Sequence, residues 1–253
     1  MLNIVVPMAG RGSRFADAGF DRPKPFIDVC GYPMIEIVIR NLTPKLPHRF
    51  VFIMQEEHWQ AHDAKRVFDR ACTSQYEVVR IDDITEGAAQ TVLCAQNLID
   101  SDEPLMIANS DQFVATDINT YLESGAGADG FLMTMRASDP KWSYAEVRNG
   151  MVRQVVEKQV ISDVATVGIY NFSRGDLFVS AASKMIDQGE KSQGEYYVAP
   201  VYTVLAGQGF EIRAVGIGAV EDGMYGLGTP DDLSIFKSLS NVNKLIRDHI
   251  IEI

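Results

Sequence analysis

Gly10, Arg11, Gly12, Arg14, Arg22 and Lys24 concentrate more binding chemistry than any other stretch of this 253-residue chain. They lie in Pro7-Met8-Ala9-Gly10-Arg11-Gly12-Ser13-Arg14-Phe15 and in Asp21-Arg22-Pro23-Lys24-Pro25. The glycines let the backbone approach a ligand and turn N–H groups toward it. Four cations fall within 14 residues of a chain whose formal net charge is −11. That combination suits a small phosphorylated ligand. A dinucleotide loop needs a third glycine where Phe15 stands, and the Walker pattern G-x-x-x-x-G-K-[ST] is absent.

A second candidate lies at Asn109-Ser110-Asp111, which closes the apolar run 104–108. In open α/β sheets ligands bind at the carboxyl ends of strands. Asp111 is therefore placed to hold a hard cation that bridges phosphates, unless it only caps a turn.

The elements that must position these groups follow from periodicity. Apolar runs at 2–7, 49–54, 77–81 and 104–108 read as strands, and 33–42, 57–71 and 87–99 as helices. This alternation predicts βαβ units and a parallel sheet. The connection of about 25 residues after the first strand is far longer than such units need, which marks it as functional. Beyond residue 129, strands are expected at 131–136, 144–148, 151–157, 166–172 and 210–217, with a hairpin turn at Asn149-Gly150. Helices are expected at 176–187, 196–205 and 230–251, the last with Thr229 as N-cap and Pro230 at its first position. No linker or repeat divides the chain. The expectation is one domain over 1–253, with an α/β half to about residue 130 and an α+β half, about 131–253, closing over it.

The loop as a whole resembles the signature of the sugar-phosphate nucleotidyltransferase family, roughly G-x-G-[ST]-R followed about ten residues later by P-K-P. The likeness extends over nearly the whole chain. It implies an α/β fold with a Rossmann-like mixed sheet of the nucleotidyltransferase (GT-A-like) type, with a nucleotide-binding half to about residue 130 and an inserted α+β acceptor-binding half, about 131–253. It implies that Arg14 and Lys24 are catalytic, holding a triphosphate and offsetting charge at the α-phosphorus. Ala9, Gly10, Arg11, Gly12 and Ser13 would cradle the nucleotide, and Asp111 would bind Mg²⁺. The family often carries a second metal carboxylate in W-x-D-[TV]-G-T. Here the segment is Met224-Tyr225-Gly226-Leu227-Gly228-Thr229, with Gly226 at the acidic position. Either Asp222 reaches in from the same loop, or the metal relies on Asp111, phosphates and water.

Thr85-Glu86-Gly87-Ala88-Ala89-Gln90-Thr91 resembles the family's P-x-G-[LT]-A-x-A, whose glycine meets the base through its backbone. Glu86 and Gly87 are thus expected at the nucleotide. Asp82, five residues before Gly87, could accept from the exocyclic amine of cytosine and would confront O4 of uracil or thymine. This points to CTP; the alternative is a surface carboxylate in Asp82-Asp83. Val156-Glu157-Lys158 resembles V-x-E-K-P, in which the lysine pairs with the acceptor's phosphate. Tyr144-Ala145-Glu146-Val147 resembles Y-G-x-V with alanine for glycine, and Val167-Gly168-Ile169-Tyr170 matches G-[IL]-Y, although Tyr170 also suits a simple strand filler. Pro140-Lys141-Trp142-Ser143 and Gly194-Glu195-Tyr196-Tyr197 resemble capsule-biosynthesis members of the family, a phosphoglutamine cytidylyltransferase among them. The acceptor group is therefore expected to include Tyr144, Glu157, Lys158, Gly168, Tyr170 and Glu195.

The expected activity is transfer of a nucleotidyl group from a triphosphate to a phosphorylated small molecule, with release of pyrophosphate. UTP- or dTTP-dependent transfer to a sugar 1-phosphate is one alternative, and a nucleotide-sensing regulator that has lost chemistry is another. A nucleotide-sugar glycosyltransferase would need Asp-x-Asp, which Asn109-Ser110-Asp111 matches poorly. The acidic balance argues against nucleic acid as partner. With 46% hydrophobic and 23% charged residues, and no apolar run near membrane-spanning length, a soluble chain with a sizeable core is expected. No signal peptide is expected, and Cys30, Cys72 and Cys94 form no framework, so the expectation is a cytoplasmic protein. Oligomeric state is left open. His58 and His62 have metal-like spacing but no third ligand nearby.

Overall fold

The computed structural model describes residues 1–248. Chain order runs β1 (Leu2–Pro7), α1 (Ser13–Asp17), a 3₁₀ turn (Lys24–Phe26), β2 (Asp28–Val29), β3 (Tyr32–Pro33) and α2 (Met34–Leu42). It continues with β4 (His48–Gln55), α3 (Glu56–Ala61), α4 (Ala64–Ala71), β5 (Tyr76–Ile81), α5 (Ala88–Leu93), α6 (Gln96–Ile99), β6 (Leu105–Ala108), β7 (Gln112–Val114) and α7 (Ile118–Gly125). The remainder is β8 (Gly130–Arg136), β9 (Ser143–Arg148), β10 (Met151–Glu157), β11 (Val164–Phe172), α8 (Gly175–Asp187), α9 (Val201–Gly207), β12 (Ile212–Val220), β13 (Gly223–Gly226), α10 (Pro230–Ser238) and α11 (Val242–Ile246).

One mixed sheet organises the molecule, in the order β5-β4-β1-β6-β11-β8-β12-β13-β7, with β9 on β11 and β10 on β9. The strands β5, β4, β1 and β6 are parallel. Their apolar runs suit strands covered on both faces: β1 and β6 are buried almost throughout. From β6 onward the sense changes, since β11 pairs antiparallel with β6, and β8 antiparallel with β11. The second half therefore extends the first half's sheet across residue 130. It also returns to it, because β13 pairs with β7, and α10 and α11 pack with Phe15, Met34, Ile37 and Phe113 in a shared cluster.

Several expected elements differ. The single helix at 57–71 is two, because Asp63 adopts a left-handed conformation with φ 49°. The new direction of α4 stacks Phe68 on Phe52 at 4.0 Å. The helix at 87–99 breaks into α5 and α6 at a tight turn, where Cys94 and Ala95 donate to Thr91 and Val92 carbonyls. The helix expected from 196 begins at Val201, because the Tyr196 backbone is engaged elsewhere: its N–H donates to Glu86 O and its carbonyl accepts from Ala89 N. Pro200 reinforces that start. The terminal helix stops at Ser238 and restarts at Val242, and its expected end at 249–251 lies outside the described residues. Thr229 does cap it, with its hydroxyl accepting from Asp232 N at 3.1 Å. Asn149 and Gly150 both have positive φ, as a tight hairpin requires. β7, α7 and β13 had no clear sequence signal.

Candidate active site

The glycine-rich loop leaves β1 at the carboxyl edge of the parallel strands, where β6 also ends. Phe15, fully buried, anchors α1 beneath the loop, and Gln55 at the end of β4 donates to Ala9 O at 2.7 Å. Gly12 has φ 61°, which a side chain rarely adopts, and a Cβ there would stand 3.3 Å from Lys24 Cβ. The loop thus folds Lys24 back over its own glycines.

Two cavities open on this edge. One, about 590 Å³, is lined by Ala9, Gly10, Arg11, Gly12 and Ser13, and across from them by Ile84, Thr85, Gly87, Ala88 and Thr91. The other, about 500 Å³, includes Arg14, Lys141, Trp142, Glu157, Lys158 and Tyr170. Both share Lys24, Ala88, Asn109, Asp111, Glu195 and Tyr197. At this junction Lys24 Nζ donates to Asp111 Oδ2 at 2.8 Å.

Gly87 has φ 135°, and a Cβ there would meet the Tyr196 backbone N and O at 2.5 Å. Only glycine lets segments 85–89 and 195–198 close on each other. Gly168, at φ 82°, likewise admits Asn109, whose Nδ2 would lie 2.3 Å from a Cβ at that position. Gly228 packs against Asp111, with 2.6 Å from the added Cβ to Oδ2, while Leu227 N donates to Asp111 O. These close approaches bring the end of β6 against the segment following β13.

In the second cavity Lys158 holds φ 53°, a strained conformation for a side-chain-bearing residue. Its N–H donates to Trp142 O at 3.1 Å and its Nζ to Tyr197 OH at 2.8 Å. That hydroxyl is the main cause holding the Lys158 ammonium above its ordinary pKa. Glu157 is buried beside it, accepts from Ser143 Oγ, and has its carboxyl pushed up by burial. Burial also raises the Tyr170 hydroxyl, which lies 3.3 Å from Thr166 Oγ1. Gln112 Oε1 and Trp142 Nε1 are buried without partners, and both residues line this cavity.

The structure brings together Arg14, Lys24, Asp111, Glu157, Lys158, Gly168, Tyr170 and Glu195 around one cavity, and residues 9–13 with Gly87 around the other. Four expected residues line neither. Tyr144 is fully buried in the core, and its hydroxyl is spent on Asp139 O at 2.7 Å. Asp82 is exposed at the end of β5. Glu86 points outward into an ion pair with Lys191 at 2.6 Å. Asp222 is exposed on the turn between β12 and β13, where only its backbone engages Ala219. The carboxylate that does flank Gly226 is Asp232, its Cγ 3.4 Å from a Cβ built at that glycine. Asp232 lines the cavity and pairs with Lys141 Nζ at 3.4 Å. Its sequence context, an acid in the first turn of a capped helix, is that of an ordinary dipole partner and carries no metal signal. Thr85, Thr91 and Asn109 were also missed; small polar residues carry no periodic signal. Among the described residues no group of three or more His, Cys, Asp or Glu is arranged to hold a metal; His62 instead stacks on Phe26.

Residues 4–203 match the family model described as Nucleotidyl transferase. A curated relative, the bifunctional protein GlmU of Latilactobacillus sakei, is 25% identical across 98% of this chain and 52% of its own length. The chain thus spans about half the length of the curated relatives it matches. Among solved structures, a nucleoside-diphosphate-sugar pyrophosphorylase from Vibrio cholerae superposes with a TM-score of 0.82 at 25% identity, covering 93% of this chain and all of that one. The inositol-1-phosphate CTP transferase of T. maritima shares the fold, with a TM-score of 0.75 at 17% identity over 99% of this chain and 96% of its own. No helix among the described residues is long and apolar enough to cross a membrane.

Proposed function

This chain belongs to the nucleotidyl transferase family, and from that premise we propose that it transfers a nucleotidyl group from a triphosphate to a phosphorylated small molecule, releasing pyrophosphate. The observation that carries the reading is the Lys24–Asp111 pair at the junction of two cavities, one walled by a glycine-rich loop and the other by cationic side chains. The first cavity takes the triphosphate, with backbone N–H groups of residues 9–13 and the Arg11 side chain available to its phosphates. The second takes the acceptor, with Lys158 at its phosphate; Arg14, expected at the triphosphate, lines this second cavity instead.

An acceptor phosphate, with a second pKa of about 6, is largely dianionic at neutral pH and attacks without a general base. Its oxygen forms a bond to the α-phosphorus while the bond to the bridging oxygen breaks, and the electron pair leaves with pyrophosphate. Lys24 offsets charge that builds on the transferring group, and Lys158 holds the attacking phosphate in line.

Mg²⁺ fits the donor set. Asp111 and Asp232 offer hard oxygens to the same cavity, and an ion of this kind completes its coordination with phosphates and waters. Asp232 takes the role first expected of Asp222. When bound, the ion would supply charge neutralisation for the triphosphate.

CTP is the proposed triphosphate and the acceptor a sugar 1-phosphate or a comparable phosphate such as phosphoglutamine, in surface-polysaccharide synthesis in the cytoplasm. Support comes from the capsule-type segments, since Lys141, Trp142, Glu195 and Tyr197 all line the acceptor cavity. Pyrophosphate release with Mg²⁺ and each of CTP, UTP and dTTP, against hexose 1-phosphates, inositol 1-phosphate and phosphoglutamine, tests this. CTP with one acceptor should dominate. No pyrophosphate from any pair would overturn the enzymatic reading and leave nucleotide sensing; UTP or dTTP turnover would overturn the base assignment alone.

A further inference from the structure

The wall between the two cavities is the short segment around residues 191–198. Gln193 and Gly194 both have positive φ, and Ser192 and Glu195 bridge each other, so the segment is a tight hairpin-like turn. On the triphosphate side, the Tyr196 backbone is bonded to Glu86 O and Ala89 N across Gly87. On the acceptor side, the next residue, Tyr197, accepts from Lys158 Nζ at 2.8 Å, with its ring 5.0 Å from that ammonium. Tyr197 lines both cavities.

Lys158 needs such a partner. Its left-handed backbone aims the side chain into the cavity, and Glu157 Oε1, 3.9 Å away, competes for the ammonium. A lysine drawn onto a buried carboxylate would be withdrawn from an incoming phosphate. The hydroxyl of Tyr197, a residue that lines both cavities, holds it in the second cavity instead. Being neutral, it does so without cancelling the charge the phosphate needs.

We propose that Tyr197 is a positioning residue, whose hydroxyl fixes the Lys158 ammonium in the acceptor cavity, against the wall shared with the triphosphate cavity, so that an acceptor phosphate binds facing the triphosphate. The proposal rests on Lys158 as the acceptor-phosphate ligand. The contact of Tyr196 with the Gly87 segment anchors the tyrosine's backbone to the triphosphate wall, so one rigid turn sets the lysine relative to both substrates.

The test uses inorganic phosphate as the probe, titrated against Trp142 fluorescence in the same cavity, with the other cavity saturated by a non-hydrolysable CTP analogue. Tyr197→Phe keeps the ring and removes only the hydroxyl. One charge-assisted hydrogen bond lost predicts phosphate affinity weaker by about tenfold, with the thermal midpoint unchanged. In a Lys158→Ala background the same change should have no further effect, since the tyrosine acts through the lysine. Unchanged affinity in Tyr197→Phe alone overturns the proposal. So does an equal additional loss in the Lys158→Ala background, because the hydroxyl would then touch phosphate itself. Unchanged affinity in Lys158→Ala shows instead that the acceptor reading of Lys158 is at fault.

Discussion

Lys24 Nζ sits 2.8 Å from Asp111 Oδ2, so in the free protein a lysine occupies the carboxylate oxygen proposed for a metal ion. On the proposed reading lysine and cation would compete for it, and a bound triphosphate would relieve the competition by drawing Lys24 onto its phosphates. Lys24→Met should therefore bind Mn²⁺ several-fold more tightly than wild type without triphosphate, while turnover falls by about a hundredfold or more. Mn²⁺ paramagnetic resonance measures the first and pyrophosphate release the second. Unaltered Mn²⁺ affinity would mean that the ion avoids Asp111.

Asp232 and Asp222 make opposite predictions. Asp232 lines the cavity proposed for the acceptor, beside Gly226; Asp222 is exposed on the β12–β13 turn. Asp232→Asn should weaken Mn²⁺ binding in the presence of triphosphate by about tenfold, the equivalent of about 1.4 kcal/mol. Asp222→Asn should stay within about twofold. The reverse pattern would restore Asp222 to the site.

Gly87→Ala and Gly10→Ala separate architecture from ligand contact. At Gly87 the added Cβ meets Tyr196 backbone at 2.5 Å and φ is 135°, so the fold itself should lose about 1–3 kcal/mol. At Gly10 nothing lies within 4 Å, so the thermal midpoint should hold and only the triphosphate KM should rise. Calorimetry and steady-state kinetics on both variants check this.

Glu157 predicts a pH dependence. Burial raises its carboxyl pKa above the ordinary 4.5, so the folded state holds this proton more tightly than the unfolded chain. Between those two values the native state carries more protons, and stability falls as pH rises. Glu157→Gln removes that loss. The variant should gain stability relative to wild type as pH climbs from below 4.5 through the raised value, and then plateau. Urea titrations across pH would show it; a constant difference would contradict the buried-acid assignment.

Asp82 stands exposed outside the cavity proposed for the triphosphate, which Thr85 and Thr91 line together with Gly87. Asp82→Ala should leave the CTP-to-UTP ratio unchanged in a one-tube competition. Thr85→Val should alter it, because a hydroxyl can donate or accept while valine does neither. A ratio that collapses in Asp82→Ala would return the base reading to that carboxylate.

Much of this site was legible because its signals are local. The apolar run of β1, the glycines after it and the cations among them are neighbours in the chain, and strand, tight turn and anion loop are each dictated by neighbouring residues. Asp111 was legible for the same reason, as a carboxylate closing an apolar strand at a sheet's carboxyl edge.

Other features depended on partners distant in sequence. Asp232 faces the cavity and Asp222 does not because β13 crosses to pair with β7, carrying Gly226 and Gly228 against Asp232 and Asp111. Tyr144 was read as a ligand contact, yet β9 turns its ring into the core. The helix expected from residue 196 starts late because Glu86 O and Ala89 N take the Tyr196 backbone first. The sequence by itself determined the glycine- and cation-rich loop, the parallel half of the sheet and the acid at its edge, since these follow from short-range sterics and periodicity. Only the tertiary structure decided which distant residues line the cavities, Asp232 and not Asp222, Tyr197 and not Tyr144. Those choices rest on hydrogen bonds and glycine-permitted contacts between segments far apart in the chain, and no local pattern encodes them.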